Sequence, residues 1–255
     1  MVRGLYTAYT GMLNQQNRLD TITNNLANSS TTGYKREGTT VQAFDDMFMT
    51  KLKDGSEGYV DRRVGTVSLG VKIGENYTDY SQGSVRITDA PFDLAIGGKG
   101  FFTISYTNKL GQDYTMYTRD GSFALTKEGN LVTKDGDFVQ GANGNIVLST
   151  TADIKIDENG NIYEDGTIVD KLLITDFEDY NYLEKFGENL YRPVDGAETK
   201  DGDYTIQQGF LEMSNVNVIS EMVEMIAITR NYEANQKMIQ STDSTLEQTV
   251  KLGAL

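Results

Sequence analysis

Three groups of residues in this 255-residue chain have types and spacings that could do chemistry. Asp157-Glu158-Asn159-Gly160-Asn161 sets oxygen-bearing side chains at alternate positions, as a calcium loop does. Ile162 stands where the sharp-turn glycine belongs and Ile168 where the bidentate Glu belongs, so the stretch reads as a hairpin turn. Gly97-Gly98-Lys99-Gly100 has the glycines and lysine of a phosphate loop, without its spacing, its hydroxyl after Lys or a following helix. It reads as a turn as well. The 37 acidic residues offer many carboxylate pairs of the kind a glycosidase uses, and nothing singles one out. A solvated acidic face accounts for them.

Two absences narrow the chemistry further. Without Cys there is no disulfide, thiolate nucleophile or Cys-based metal site. Without His the chain lacks the usual general base and the commonest zinc ligand. Any enzyme built on this chain would have to run on carboxylates, Lys, Tyr, Ser or Thr, and no catalytic residue, metal ligand or cofactor site is singled out. The net charge is −14, and it is unevenly spread: residues 1–28 carry +1 and residues 214–255 carry −2, leaving −13 for the middle. An acidic surface repels nucleic acid and anionic lipid, so neither is an expected partner. No stretch approaches 18 apolar residues, and no basic segment leads into an apolar one at the start. The expectation is a chain that does not insert in a membrane and is exported, if at all, without a cleavable signal.

The elements that organise the chain are at its two ends. From Val218 an apolar stripe repeats every seven residues: Val218, Met225, Tyr232, Ile239, Leu246. Beside it runs Met222, Thr229, Gln236, Asp243, Val250, and Ile219, Val223 and Ile226 widen the apolar face at the start. Neither Pro nor Gly interrupts the segment before Gly253, and Asn215 or Asn217 can cap its start. One helix over 217–251 is about 50 Å long. A sustained heptad wants a partner helix. Residues 3–28 repeat the pattern, with Leu5, Met12, Leu19 and Leu26 seven apart and Ala8 and Ile22 at neighbouring seam positions. Gln15 falls on that seam, and Gly4 and Gly11 each lower helix preference by about 1 kcal/mol against Ala. Each terminus thus carries a face that it cannot bury alone.

Between the ends the pattern changes. Asn24-Asn25-Leu26-Ala27-Asn28-Ser29-Ser30-Thr31-Thr32-Gly33-Tyr34-Lys35 reads as an unwinding helix end and a tight loop, with Gly33 the natural site of a positive φ. Residues 36–75 are ambiguous. Phe44, Met47, Phe48 and Leu52 have helical spacing, Lys53 to Gly58 is glycine-rich and charged, and 64–73 alternates as extended chain does. This stretch reads as a connector lying along a neighbour. From about 77 to 208 there are Asp-Gly pairs at 120, 135, 165, 195 and 201 and Asn-Gly pairs at 143 and 159, which suit tight hairpins. Strands are expected at 92–96, 101–105, 122–125, 130–133, 146–148, 153–156 and 172–176, with Pro91 and Pro193 at strand edges or loops. The fold class is α+β: terminal helices paired as a coiled-coil-like inner domain (1–28 and 209–255), an extended connector (29–75) and a central antiparallel all-β domain (76–208).

Four blocks carry a resemblance. Arg3-Gly4-Leu5-Tyr6-Thr7-Ala8…Gly11-Met12-Leu13 with Asn24-Asn25-Leu26-Ala27-Asn28…Thr32-Gly33-Tyr34-Lys35 resembles the N-terminal signature of bacterial flagellar rod and hook proteins. Gln208-Gly209-Phe210-Leu211-Glu212-Met213-Ser214-Asn215-Val216-Asn217, then Glu221-Met222-Val223…Arg230-Asn231-Tyr232-Glu233-Ala234-Asn235, resembles their C-terminal signature. Asp93-Leu94-Ala95-Ile96…Gly100-Phe101-Phe102 and Tyr117-Thr118-Arg119-Asp120-Gly121-Ser122-Phe123 resemble the middle domain of the rod members. Gly70-Val71-Lys72-Ile73 to Gln82-Gly83-Ser84 is similar to the distal-rod branch. Asp89 stands where that family commonly has Gly, and Ser29-Ser30 replaces Val-Asn.

The resemblance implies a non-enzymatic subunit of the flagellar basal body, self-assembling into a hollow helical shaft that transmits torque and passes exported subunits. The terminal helices would line the bore, the β domain would face outward and the connector would bridge copies. Implied partners are further copies, neighbouring rod and hook proteins, ring proteins and peptidoglycan. Leu5, Met12, Leu19, Ile22 and Leu26 with Val218, Met225, Tyr232, Ile239 and Leu246 form the expected assembly seam. Asn24, Asn25, Asn28, Gly33 and Tyr34 shape the turn into the connector. The alternatives are a proximal-rod or short hook homologue, a carboxylate-dependent hydrolase of cell-wall glycan, and a β-rich binding module on a coiled-coil stalk.

Overall fold

Residues 2–50, 63–108, 111–149, 154–200 and 202–253 are described by a computed structural model. Lys53 to Gly58, Leu52 and the first residue of the Asp201-Gly202 turn lie outside these. The chain divides into two compact units, one of residues 1–26, 37–78 and 218–255, the other of residues 27–36 and 79–217.

In the first unit, helix α1 (Val2–Ala27) and helix α2 (Val218–Gly253) account for the two terminal heptad patterns. A Cβ added at Gly11 would lie 3.2 Å from Asn235 Nδ2, Arg18 pairs with Glu224 at 2.6 Å, and Asn25 Nδ2 donates to Glu221 at 3.3 Å. As residue numbers rise along α1 they fall along α2, so the helices run antiparallel. Gly11 costs helix preference but admits Asn235, which a larger residue would displace. Along α2, Thr229, Thr242, Thr245 and Thr249 each donate to the carbonyl four residues back, which satisfies their hydroxyls on an exposed surface.

The described parts of the stretch 36–75, residues 36–50 and 63–75, are extended. Strand β1 (Glu37–Ala43) pairs antiparallel with β4 (Val71–Thr78), and β2 (Met47–Thr50) with β3 (Arg63–Val67). The three- and four-residue spacing of Phe44, Met47 and Phe48 is incidental, since all three are exposed and bury no helical face.

The second unit is antiparallel β throughout. Its main sheet runs in the order Leu183–Phe186, Leu190–Pro193, Asp113–Thr118, Phe101–Thr107, Phe138–Gly141, Leu131–Val132, Ala124–Leu125, with Ile174–Phe177 also paired to Phe101–Thr107. A three-stranded meander, Ile154–Ile156, Asn161–Glu164 and Thr167–Lys171, stands beside it. Leu94–Gly98 pairs with Tyr204–Gln208, and Val85–Ile87 with Phe210–Glu212. One core gathers Leu94, Ile96, Phe102, Ile104, Val139 and Ile162; a second, aromatic one gathers Phe101, Tyr117, Phe177 and Tyr191.

Five of the expected turns place their glycine at positive φ, at Gly136, Gly144, Gly160, Gly166 and Gly196; Gly121, after Asp120, does not. Asp165 and Gly166 both take positive φ, 48° and 82°, in a two-residue hairpin loop between Glu164 and Thr167. Asp157 and Asn161 close the suspected calcium loop as a hairpin, Asp157 N donating to Asn161 O at 3.0 Å. Gly97 to Gly100 joins Leu94–Gly98 to Phe101–Thr107. The expected strand at 146–148 is absent: its backbone contributes a single bridge, Val147 to Asn130, and the strand there is Gly144–Asn145. Asp89 holds φ 57°, a left-handed conformation that costs a side chain about 1 kcal/mol and a glycine little. Asp89→Gly should therefore raise the urea midpoint by an amount worth about 0.5–1 kcal/mol.

Candidate assembly interface

The residues of the expected seam differ in burial. Met225, Tyr232, Ile239 and Leu246 are half-buried, as are Leu5, Met12, Leu19 and Leu26, while Ile22 is buried. Val218 is not part of that face, being 40% exposed. The companion row is also different from expectation. Met222, Thr229, Gln236, Asp243 and Val250 are all exposed, and the row that accompanies Met225 and Tyr232 is Glu221, Ile228, Asn235, Thr242. Three of its four members are polar, so a search for apolar repeats passes over it. On α1 the matching row is Ala8, Gly11, Gln15, Arg18, Ile22, Asn25. Here polar groups are spent on each other: Arg18 on Glu224, Asn25 on Glu221.

What this leaves in water is substantial. Tyr6, Tyr9 and Leu13 on α1, and Ile219, Met222, Val223 and Ile226 on α2, are exposed. Val223 stands at 63% and Tyr9 at 52%, well above what a helix facing its own domain shows.

The residues of the turn divide by role. Asn25 is fully buried and reads the backbone of Glu37 with both ends of its amide, Glu37 N donating to Oδ1 at 2.9 Å and Nδ2 donating to Glu37 O at 2.8 Å. It thereby ties the start of β1 to α1. Asn28 accepts from the Thr31 amide and hydroxyl. Gly33 has φ 68°, and a Cβ there would come 2.3 Å from Asp120 N. Tyr34 is buried, with Lys185 Nζ 3.9 Å from its ring centre. Asn24 is an exposed residue of the last turns of α1. Asn215 does not cap α2, because its side chain accepts from Arg36 N and donates to Asp79 O, both at 2.8 Å.

The second unit holds a site that composition and periodicity do not reveal. Glu212, Lys35 and Arg119 are all buried. Glu212 Oε1 accepts from Lys35 Nζ at 2.5 Å and from Gly83 N at 2.9 Å; its Oε2 lies 3.3 Å from an Arg119 nitrogen. Lys35 also donates to Ser81 O, Arg119 to Gly98 O, and Gly33 N to Glu212 O. The three ions come from three separate stretches that resemble the flagellar rod and hook family: Lys35 from the N-terminal one, Arg119 from the middle one and Glu212 from the C-terminal one. Burial pushes the Lys35 ammonium below the ordinary lysine range, and the Glu212 carboxylate offsets only part of that. Between the lowered pKa and the ordinary one, the unfolded chain holds a proton that the folded chain has released. Stability from this group therefore rises with pH across that window and is lost as pH falls through the folded value. Chemical denaturation from neutral to alkaline pH should show this rise in the parent protein relative to Lys35→Met.

A polar cavity of about 350 Å³ opens in the same unit beside Thr32, Arg86, Asp120, Lys134 and Asn189. Asp120 is saturated there, accepting from Ser122 N and Oγ on one oxygen and from Asn189 Nδ2 on the other. Asp137, whose carboxyl is pushed up by burial and by Asp135, does not line it. Asp135 and Glu188 line the cavity as well.

Comparison with known proteins decides the family. Residues 5–35 match a family described as flagella basal body rod protein, residues 95–164 the flagellar hook protein FlgE/F/G D1 domain, and residues 207–252 the flagellar basal body rod FlgEFG protein C-terminal region. The flagellar basal-body rod protein FlgG of Bacillus subtilis is 35% identical, with 99% of each chain covered. Its counterpart in Buchnera aphidicola from Schizaphis graminum is 33% identical over 99% of this chain and 100% of the relative. The flagellar hook-basal body complex protein FlhO of Bacillus subtilis is 31% identical over 97% of each. The chain belongs to the flagellar basal-body rod protein family. As a flagellar basal-body rod protein it is structural and not an enzyme, and its place is the basal body of the flagellum, in the service of motility. Among the described residues no helix is long and apolar enough to cross a membrane.

Proposed function

We propose that this chain is a subunit of the distal part of the rod, polymerising with its own copies into a hollow helical shaft that transmits torque and passes exported subunits along its bore. The observation that carries this is the apolar surface left on both terminal helices after they have met each other. Seven exposed side chains of that kind on two helices have no use in a monomer and are what repeated helix packing consumes. In this reading residues 1–28 and 209–255 form the coiled-coil-like inner domain, 29–75 the connector between copies and 76–208 the outer domain. Leu5, Met12, Leu19, Ile22, Leu26, Met225, Tyr232, Ile239 and Leu246 hold the inner domain together. Val218 sits at its exposed margin. Neighbouring rod and hook proteins join the shaft at its ends; ring proteins and peptidoglycan surround the acidic outer domain. The names of the FlgG relatives and the Gly70 to Ser84 block support the distal position.

The test is electron microscopy of concentrated purified protein. Hollow filaments are expected. Protein that stays monomeric at high concentration, with both helices folded and these apolar side chains covered, would overturn the reading.

A further inference from the structure

The ribbon of β1 and β4 is attached to α1 at both of its ends. At one end Asn25 holds Glu37 by both backbone groups, at 2.8 and 2.9 Å, and donates to Glu221 as well. At the other, Val71 N donates to Thr10 Oγ1 at 3.5 Å, and Gly70 packs so closely that a Cβ there would run into the same hydroxyl. Thr10 and Asn25 are separated by about 22 Å of helix. Strand Glu37–Ala43 covers about 20 Å. The ribbon therefore runs alongside α1 from one attachment to the other. The helix row beneath it is polar: Thr7, Thr10, Asn14, Thr21 and Asn25 fall within an arc of about 60°. A row of that kind ordinarily faces water. Asn14, between the two attachments, is nevertheless only 3% exposed.

We propose that the ribbon is a hinged strap on α1, closed over the Thr10–Asn14–Thr21 row in this structure and able to lift at its Thr10 end while it stays pinned at Asn25. Three features support a hinge. The attachments are unequal. Asn25 is fully buried and satisfies both backbone groups of Glu37, so releasing it leaves an amide and a carbonyl unpaired. Thr10 holds Val71 by one long bond to a half-buried hydroxyl that also donates to Thr7 O. The ribbon also has little apolar grip, because neither strand contains a buried residue, and segments of that kind open at low free-energy cost. Finally, the pairing of the two strands runs from Glu37 with Thr78 to Ala43 with Val71 without help from α1, so the ribbon can move as one piece. Lifting turns α1 from a helix covered by both α2 and the ribbon into one that offers a row of hydroxyl and amide groups. This inference concerns the single chain and stands or falls independently of the rod reading.

The absence of cysteine lets one introduced thiol report the motion. Asn14→Cys places it under the strap, and Ile22→Cys, buried on the row that faces α2, is the control. Each full-length protein is timed in its reaction with a maleimide, and Asn14→Cys should react far more slowly than it does in urea. Adding Thr10→Val, which keeps the shape and removes the acceptor, should speed the reaction at position 14 about fivefold, and Thr10→Ser should not. Gly70→Ala should speed it by about tenfold or more, since a φ of 128° and the Thr10 hydroxyl both reject a side chain there. Position 22 should respond to none of these changes. Rates at position 14 that ignore Thr10→Val and Gly70→Ala overturn the strap. Equal rises at 14 and 22 overturn it too, because they mean that the helices part as a whole. If Asn14→Cys does not fold, residue-resolved hydrogen exchange of the unmodified protein decides. The Val71 amide should then exchange about tenfold faster or more than the Glu37 amide, after correction for intrinsic rates, and equal protection overturns the hinge.

Discussion

Glu212→Gln should lower the stability of the β unit by about 3–5 kcal/mol, more than any other single change of charge in the molecule. The variant keeps the shape of the side chain but turns one of its two acceptor oxygens into an NH2 donor, so that either Arg119 or the Lys35–Gly83 pair loses its acceptor. It removes the one carboxylate that touches both Lys35 and Arg119, in a place where all three groups are almost fully covered, and leaves Lys35 only the electrostatic influence of Asp79. Urea denaturation followed by tyrosine fluorescence measures the loss. Lys35→Met is the informative comparison. It leaves Arg119 and Glu212 as a pair and fills the lysine's space with apolar atoms, so its loss should be well under half of that for Glu212→Gln. Equal losses in the two variants would mean that packing, and not charge balance, governs the cluster.

Ile228→Asp should abolish assembly while leaving the β unit folded. Ile228 is 2% exposed, on the row of α2 that also carries Glu221 and Asn235, and its replacement sets a carboxylate there with no cation assigned to it. A charge so placed costs about 4 kcal/mol or more, enough to separate two helices that bury few apolar side chains between them. Circular dichroism should lose the helical component and retain the β component, and sedimentation should show no filaments at any concentration reached. Normal filaments from this variant would remove the helix pair from the account of assembly. Ile22→Asp, at 5% exposure on α1, should behave in the same way.

Much of the architecture was legible in the sequence because two simple signals dominate it. The seven-residue repeat of Met225, Tyr232, Ile239 and Leu246 located α2, and paired Asp-Gly and Asn-Gly residues located several hairpins of the β unit. The errors have a common origin in apolar patterning. On α2 the exposed Met222, Val223 and Ile226 look as hydrophobic as the buried Ile228, so hydrophobicity could not say which side faces α1. The polar members of the true inner row, Glu221, Asn235 and Thr242, are readable only once Arg18, Gly11 and Asn25 are known to lie opposite. In 36–52 the spacing of Phe44, Met47 and Phe48 fits a helix, and only the cross-strand partners at Arg63–Val67 and Val71–Thr78 resolve it as extended. Strands such as Leu183–Phe186 and Leu190–Pro193 were missed because a short, partly charged segment and a proline carry almost no strand signal. The ion cluster escaped because its members are 84 and 93 residues apart along the chain, and separation of that kind leaves no local trace.

The arrangement around Glu212 has a mechanical corollary. The outgoing segment at Gly33 and Lys35 and the returning one at Glu212 and Asn215 lie side by side, joined by Gly33 to Glu212, Lys35 to Glu212 and Arg36 to Asn215. The outgoing and returning segments of this unit are thus tied through one residue, Glu212, by its backbone carbonyl and its carboxylate together, so that loosening Glu212 should free both segments at once.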